Sequence, residues 1–194
     1  KTFTCTTDDI IGVFTKDGRI YRIKTDNLPE AGSKNKRDTY HIPSTFNIFE
    51  DDIVAYILLS KNEQDYLLFA TSDGLIKKTL VSEFYNSRQG TVIIKLKENA
   101  KLVSVLEPAE EVLLTTKNGV SIRFSTTNIN TMGRVAAGVT GIKLDDNDEL
   151  LSMCSTDNGQ YLLTFTDNGY IKKTSLEEYK PQNRGGKGIK TMEL

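Results

Sequence analysis

The sequence predicts an all-β protein, built as a propeller-like array of about four four-stranded units. Four segments share one pattern, in which an apolar, β-branched run meets Asp-Gly or Asn-Gly and continues into a second extended run. The turn glycines are Gly18, Gly74, Gly119 and Gly169. Their spacing of 45 to 56 residues is typical of a recurring unit of about four strands. Only residues 80–84 and 175–179 are compatible with a short turn of helix, so helix-rich and doubly wound folds are excluded.

Each of the four segments is a β-hairpin by its local chemistry. The segments begin at Ile10, Tyr66, Glu111 and Gln160. Asp-Gly and Asn-Gly suit two-residue type I′ turns, because both central residues tolerate a positive φ. The repeated aromatic residues of these hairpins are predicted to fill the cores of the units; they are Tyr21, Phe69, Phe124 and Phe165.

A second half-unit, consisting of a strand, a polar turn and another strand, lies between the hairpins. Residues 90–106 and 138–154 fit this pattern, and residues 41–58 are a looser copy. Four-stranded units that cannot bury both faces alone must stack around an axis. We therefore expect one domain over residues 1–194, forming an open, partial or closed array. Its units are expected at about 1–41, 42–89, 90–134 and 135–194, and the first residue, Lys1, suggests a piece of a longer protein.

The positive charges follow the repeat, although the chain as a whole is nearly neutral. The 25 Lys and Arg residues are balanced by 26 Asp and Glu residues. The fourth residue after each turn glycine is basic, and these residues are Arg22, Lys78, Arg123 and Lys173. Equivalent positions of a radial array lie around one rim, so we expect a cationic belt. Further cations expected on it are Lys77, Lys172 and the loop arginines Arg37, Arg88, Arg134 and Arg184.

The strongest single motif is QNRGGKG at residues 182–188. It combines two cations, Arg184 and Lys187, with three glycines that lack a Cβ atom. Such a loop lets phosphate oxygens approach main-chain N–H groups while the side chains neutralise charge. The simpler interpretation is a flexible turn between units. The surrounding window, residues 172–190, is also basic and includes Lys190.

Other motifs do not predict a catalytic, metal or cofactor site. GRVAAGVT has Val139 where a nucleotide P-loop requires lysine. DDNDEL has Leu150 and Thr156 where a calcium loop requires glycine and glutamate. The single histidine, His41, has no partners for a catalytic triad. We therefore predict no cofactor, no metal and no catalytic residue.

The cysteines and the hydropathy predict a cytoplasmic protein that does not enter a membrane. Cys5 and Cys154 are far apart and outside any Cys-x-x-Cys spacing, which favours two semi-buried thiols in a reducing compartment. The longest apolar runs are much shorter than a membrane span, and the start of the sequence lacks the apolar core of a secretion signal.

Along essentially its whole length, the sequence resembles the C-terminal domain of the DNA gyrase A subunit. PQNRGGKGIK is similar to the gyrase A box of that family, Gln-Arg-Arg-Gly-Gly-x-Gly. The segments at 73–84, 132–144 and 168–179 resemble its recurrent blade segments, which are shared with topoisomerase IV. Asn183 replaces the first arginine of the box, which removes one phosphate contact. The matching box residues are Gln182, Arg184, Gly185, Gly186 and Gly188, with Lys187 at the variable position.

This resemblance implies a β-pinwheel whose basic perimeter binds, bends and wraps duplex DNA without sequence specificity. The wrapped DNA is presented to the catalytic core, so that strand passage introduces negative supercoils. The implied partners are double-stranded DNA, the catalytic core of the same polypeptide and the ATPase subunit. In topoisomerase IV the related domain guides the choice of substrate without full wrapping. The family's principal box belongs to its first blade, so the box at 182–188 is expected to be one of the downstream copies.

Two other classes of function remain open from the residues alone. A propeller-type module can bind a peptide or a partner domain on its rim, in which case binding to DNA would depend little on salt. An enzymatic propeller would need acidic, basic or metal-binding groups converging on the central axis, and the sequence offers none.

Overall fold

The computed structural model describes residues 2–30, 39–62 and 64–193. Within this part of the chain it is almost entirely β, which confirms the predicted fold class. The strands are β1 (Ile10–Thr15), β2 (Arg19–Lys24), β3 (Ile53–Leu59), β4 (Tyr66–Thr71), β5 (Leu75–Leu80), β6 (Thr91–Val92), β7 (Leu102–Leu106), β8 (Glu111–Thr116), β9 (Val120–Ser125), β10 (Val139–Thr140), β11 (Leu150–Ser155), β12 (Tyr161–Phe165), β13 (Ile171–Ser175) and β14 (Ile189–Lys190). No helix in these residues is long and apolar enough to span a membrane.

The strands form three four-stranded antiparallel sheets, and a two-stranded hairpin occupies the fourth position. The strand orders are β3-β1-β2-β6, β10-β5-β4-β7, β11-β8-β9-β14 and β12-β13. We refer to these as the first, second and third sheets and the last hairpin. Each four-stranded sheet combines one predicted hairpin with strands that come later in the chain. Because β14 follows the last hairpin in sequence but pairs with β9, successive sheets are tied together by the chain itself.

One edge of each sheet faces the centre of the array and the other faces outward. Strand β7 packs against both β3 and β11, so these three strands form the inner edges. The short strands β6, β10 and β14 lie at the opposite ends of their sheets. They are therefore the outer edges of the three sheets, and the loops that precede them lie on the perimeter.

The predicted hairpins are confirmed, but their turns are not type I′. In the first hairpin Gly18 N donates to Thr15 O at 2.9 Å, and only Gly18 of the turn has a positive φ, +73°. This is a type I turn followed by a left-handed glycine, which adds one residue to the loop. The Thr15 hydroxyl donates to the Asp17 carboxylate at 2.5 Å, and Thr71 does the same with Asp73. This side-chain bond holds the aspartate in a right-handed conformation, and so the type I′ prediction is wrong.

Two apolar clusters fill the spaces between sheets. Between the first and second sheets the rings of Phe14, Phe69 and Phe84 pack edge to face, with centroids 5.8 to 6.3 Å apart. A second cluster joins Leu68 and Ile76 of the second sheet to apolar residues of β8 and β9. Burial of each large apolar side chain contributes about 1.5–3 kcal/mol to the stability of the fold. Because both clusters lie between sheets, the hydrophobic core lies there and not within a single sheet.

The array is open at the last hairpin. Leu163, Phe165 and Ile171 of this hairpin are 53%, 66% and 65% exposed, although the equivalent residues of the second sheet are fully buried. The prediction that Phe165 fills a core is therefore wrong, because no further sheet covers its face in the described residues. The equivalent positions on the second sheet are covered by the third sheet.

The short helical turns are partly as expected. Helix α2 (Ser82–Tyr85) and a 3-10 turn at Leu176–Glu178 fall in the two predicted places. Helix α1 (Ile42–Phe46) occupies a segment that was expected to be a strand, because His41 caps its N-terminus and Pro43 favours its first turn. Of the two free thiols, Cys154 is half-buried and burial raises its pKa, but Cys5 is exposed, which is not the semi-buried position expected for it.

Candidate nucleic-acid interface

Three equivalent loops lie on the outer edge of the array, one on each four-stranded sheet. We call residues 87–90, 133–138 and 183–188 the first, second and third edge loops. Each precedes one of the short outer strands. Each loop, or the residue just before it, also donates a hydrogen bond to a main-chain carbonyl of the predicted belt. The acceptor is the basic residue at the fourth position after a turn glycine. The donors are Gln89 Nε2 to Arg22 O (2.7 Å), Met132 N to Lys78 O (2.8 Å) and Gln182 N to Arg123 O (2.8 Å).

The third edge loop, which holds the box motif, is clamped onto the second sheet. Arg184 donates from Nε to Asn128 O and from a terminal nitrogen to Thr140 O, both at 3.2 Å. Gly185 N donates to Gly141 O at 2.6 Å, and Gly186 O accepts from Lys143 N at 2.9 Å. The main chain of the motif therefore joins two sheets. The alternative interpretation, a flexible turn between units, does not fit these hydrogen bonds.

Close packing favours glycine at two of the three glycine positions of the motif. A Cβ atom on Gly188 would lie 2.5 Å from Ser121 O of β9, and its φ of +75° is left-handed. A Cβ atom on Gly186 would lie 3.3 Å from both Gln182 Oε1 and Ile122 Cδ1. The loop can lie this close to its own sheet because these positions have no side chain.

Two lysines of the motif region project from this clamp into solvent. The Lys187 side chain is 70% exposed, and its Nζ lies 3.5 Å from Asp145 Oδ1. Lys190 Nζ lies 2.7 Å from Glu193 Oε2 on an exposed surface. Exposed pairs of this kind contribute about 0–1 kcal/mol, so both ammonium groups can exchange these carboxylates for another anion at little cost.

The two arginines of the predicted belt are held by the protein itself. Arg22 donates both terminal nitrogens to Tyr85 O and Ser87 O, and burial lowers the pKa of its guanidinium. Arg123 donates from Nε to the Glu111 carboxylate at 2.8 Å and from a terminal nitrogen to Leu176 O at 3.2 Å. Each guanidinium therefore fastens a helical turn that follows a later hairpin in the chain.

The two lysines of the predicted belt lie on tyrosine rings. Lys78 Nζ is 4.0 Å from the ring centroid of Tyr66, and Lys173 Nζ is 4.0 Å from that of Tyr161. Lys78 is half-buried and Lys173 is exposed. A cation on an aromatic face keeps its charge accessible on the opposite side, so these lysines remain able to meet an anion.

The lysines next to them, Lys77 and Lys172, differ in burial. Lys77 is completely buried, and its Nζ donates to Ile93 O, just after the outer strand of the first sheet, and to Arg134 O of the second edge loop. It therefore does not reach the surface. Lys172 is exposed, and its Nζ donates to Thr191 O.

The loop arginines are distributed between surface and interior. Arg88 of the first edge loop is exposed, and Arg134 of the second is half-buried. The fourth predicted loop arginine, Arg37, lies outside the described residues. The structure thus brings Arg88, Lys187 and Lys190 to the outer edge as exposed cations, while Arg184 serves mainly to hold its loop.

Sequence reasoning missed two cations beside the edge loops. Lys143 is exposed, and its main chain is bonded to Gly186 of the third edge loop. Lys95, also exposed, occupies the equivalent position on the preceding unit, five residues after a loop glycine. The repeated Ile-Lys-Leu at 94–96 and 142–144 is the signal that could have identified them, if the loops had been aligned on their glycines.

Comparison with known proteins identifies the family of this outer-edge arrangement. The sequence model described as DNA gyrase C-terminal domain, beta-propeller, matches residues 9–36, 65–107, 110–153 and 160–194. The chain belongs to this family. It is 41% identical over 198 residues to the DNA gyrase A subunit of Mycolicibacterium smegmatis and 35% identical over 196 residues to that of Staphylococcus epidermidis. The alignments cover 98% and 97% of the chain but only 23% and 22% of these relatives, so the chain spans about a quarter of their length.

Solved structures have the same fold. The C-terminal domain of DNA topoisomerase IV superposes with a TM-score of 0.84 at 27% identity, covering 94% of this chain and 58% of that one. A DNA gyrase A C-terminal domain superposes with a TM-score of 0.74 at 24% identity, covering 95% and 60%. Together with the family match, these likenesses establish the β-pinwheel architecture that the sequence predicted.

Proposed function

We propose that the chain binds duplex DNA without sequence specificity along its outer edge and bends or wraps it. In the parent enzyme, a type IIA topoisomerase of the gyrase kind, this would present DNA to the catalytic core for negative supercoiling. The observation that supports the proposal best is the recurrence of the edge loops on three successive sheets. Each loop is anchored to the main-chain carbonyl of the equivalent belt cation, and exposed cations lie on or beside it.

The exposed cations would act through phosphate contacts. We assign this role to Arg88, Lys187, Lys190 and the neighbouring Lys143 and Lys95, with Lys78 and Lys173 on their tyrosine rings alongside. Each phosphate neutralised adds about 0.9 to the slope of log affinity against log salt. The released counterions must offset a bending cost of about 1–6 kcal/mol for a short duplex. A track that runs across several sheets supplies enough contacts for this, whereas one loop alone does not.

Because acidic residues lie beside the exposed lysines, DNA binding is expected to be confined to the outer edge. Asp145 faces Lys187, and Glu193 faces Lys190. With a nearly neutral chain, long-range attraction to DNA is small, so affinity depends on close contacts along the outer edge. This distinguishes the proposal from non-specific binding by a basic protein.

A charge-reversal experiment tests the outer edge. Lys187→Glu with Lys190→Glu is expected to weaken duplex binding strongly and to lower the salt slope by about 2. Lys61→Glu with Lys117→Glu is the matched control, because these exposed lysines also pair with carboxylates, at 2.9 and 3.3 Å, but neither belongs to an edge loop or an outer strand. Fluorescence anisotropy at several salt concentrations measures both pairs. Equal losses in the two double variants would sink the proposal.

The relation to topoisomerase IV defines a second candidate, in which the domain guides DNA without wrapping it. It is favoured by the high TM-score to that enzyme's C-terminal domain. A nicked circle sealed by ligase in the presence of the protein separates the two. A linking-number shift of one sign would mean wrapping, whereas tight binding without a shift would mean bending or guiding only.

A further inference from the structure

The second edge loop is held by a buried lysine that the outer-edge surface does not use. Lys77 of β5 has no exposed surface, and its Nζ donates to three backbone carbonyls. Gly133 O and Arg134 O belong to the second edge loop, whereas Ile93 O follows the outer strand of the first sheet. One amine therefore joins a loop on the second sheet to the neighbouring sheet.

The geometry satisfies the amine without a carboxylate. Three carbonyl oxygens surround Nζ, and Gly133 O at 3.4 Å is the most distant, so an uncharged amine with two N–H groups can still donate to Ile93 O and Arg134 O. The Phe69 ring centroid lies 5.4 Å away. No salt bridge joins Lys77 to an acidic residue in the described chain. A buried donor set that is fully matched by main-chain acceptors orders the segments that carry those acceptors. Removing it would leave the three carbonyls without this donor.

The same position beneath the other edge loops is occupied differently. Tyr21 lies beneath the first loop, 3.4 Å from a Cβ atom built on Gly90, and Ile122 lies beneath the third, 3.3 Å from one built on Gly186. Only the second loop has a lysine there. The last glycine of this loop packs as closely on its own sheet as Gly188 does in the third loop, because a Cβ atom on Gly138 would lie 2.6 Å from Ile76 O. The lysine is therefore a tie in addition to this packing, and it reaches the neighbouring sheet.

We propose that Lys77 is a positioning residue that ties the second edge loop to the first sheet and so fixes the spacing of the two loops along the DNA track. This rests on the proposed function, because the consequence of the tie is for DNA binding. The tie itself is a property of the fold and can be measured without DNA. It makes the second edge loop a segment whose opening exposes the buried amine to water.

The pH dependence of that opening is a signature of this role. Burial lowers the pKa of Lys77 to about 7; Glu83 of α2 opposes this, and Arg134 of the loop adds to it. When the loop opens, the amine regains an ordinary lysine pKa and takes up a proton at any pH between the two values. Since the open state binds one more proton than the closed state in this range, the opening equilibrium falls as pH rises above about 7. It is largest below about pH 7.

The test is hydrogen exchange of residues 133–138 in the full-length protein, with observed rates divided by intrinsic rates. The wild-type opening equilibrium is expected to fall by up to about tenfold for each pH unit above about pH 7. Lys77→Met is expected to open the loop more often and to show no such slope. Leu68→Ala is the control, because it weakens the adjacent core but keeps the lysine, so the slope must persist. An opening equilibrium in Lys77→Met no larger than that of the wild type, or a slope that Lys77→Met leaves unchanged, overturns the tie.

DNA affinity supplies the second arm. Lys77→Met is expected to weaken duplex binding on the order of tenfold, although residue 77 is buried, because a loop that opens more often is less often placed to meet DNA. Wild-type affinity in a variant whose loop has opened would refute the positioning role while leaving the proposed function standing. Failure of the Lys187 and Lys190 reversal to affect binding would refute the proposed function, and the exchange slope would still decide the tie.

Discussion

Alanine at three glycines tests whether the box motif is glycine-rich because of packing. Gly188 combines a φ of +75° with a Cβ position 2.5 Å from Ser121 O. Gly169 has a φ of +82° but open space, and Gly133 has open space without a left-handed φ. The left-handed conformation costs an L-residue about 1–2 kcal/mol, and a backbone clash adds about 1–3 kcal/mol. We expect Gly188→Ala to lower the free energy of unfolding by about 3 kcal/mol and Gly169→Ala by about 1 kcal/mol.

Gly133→Ala shows the effect of alanine where neither a left-handed φ nor a close contact opposes it. Without strain or contact, alanine reduces the freedom of the unfolded chain, so it should be neutral or stabilise by about 0.4–1 kcal/mol. Urea unfolding followed by circular dichroism, with m-values compared, measures all three variants. If Gly188→Ala were as stable as Gly133→Ala yet bound DNA poorly, the glycine would serve phosphate approach, and the packing argument would be refuted.

Two further variants separate anchoring cations from free ones and test the open face. Arg123→Met should lower the free energy of unfolding by about 2–3 kcal/mol, since Glu111 and two turn carbonyls lose their donor, whereas Lys78→Met should cost less than about 1 kcal/mol; equal losses in urea unfolding would contradict this. Phe165→Ser should reduce self-association of the isolated 194-residue chain without lowering its stability, because the ring is 66% exposed on an apolar face. Sedimentation velocity over a range of concentrations measures it, and unchanged association would argue against this face.

The sequence was sufficient for the repeat and the fold class because hairpin chemistry is local. Asp-Gly or Asn-Gly between two β-forming runs indicates each hairpin without knowledge of its neighbours. Sheet membership is not local. The box motif follows the last hairpin in sequence, but its outer strand pairs with β9 of the third sheet. Only the register between sheets shows that the motif clamps the second sheet to the third.

In the second and third sheets, the surroundings of the belt cation depend on a residue in the preceding strand. In the second sheet Lys78 pairs with Leu68, so Tyr66 is its diagonal neighbour on the same face. In the third sheet Arg123 pairs with Leu113, and the diagonal neighbour is Glu111. The sequence shows four basic residues at one position, but this neighbour decides whether the charge is presented on a ring or neutralised by a carboxylate.

These neighbours imply a division of labour among the cations. An arginine donates in several directions at once and suits the fastening of turns and loops, as Arg22, Arg123 and Arg184 do here. A lysine has a single flexible charge that can leave a weak partner for a phosphate, as the exposed Lys187 and Lys190 can. The anchoring arginines determine where the outer edges lie, and the lysines supply the charge that DNA would meet there. A continuous track therefore does not require every basic residue of the repeat to touch DNA, because those that hold the loops in line are as necessary as those that bind.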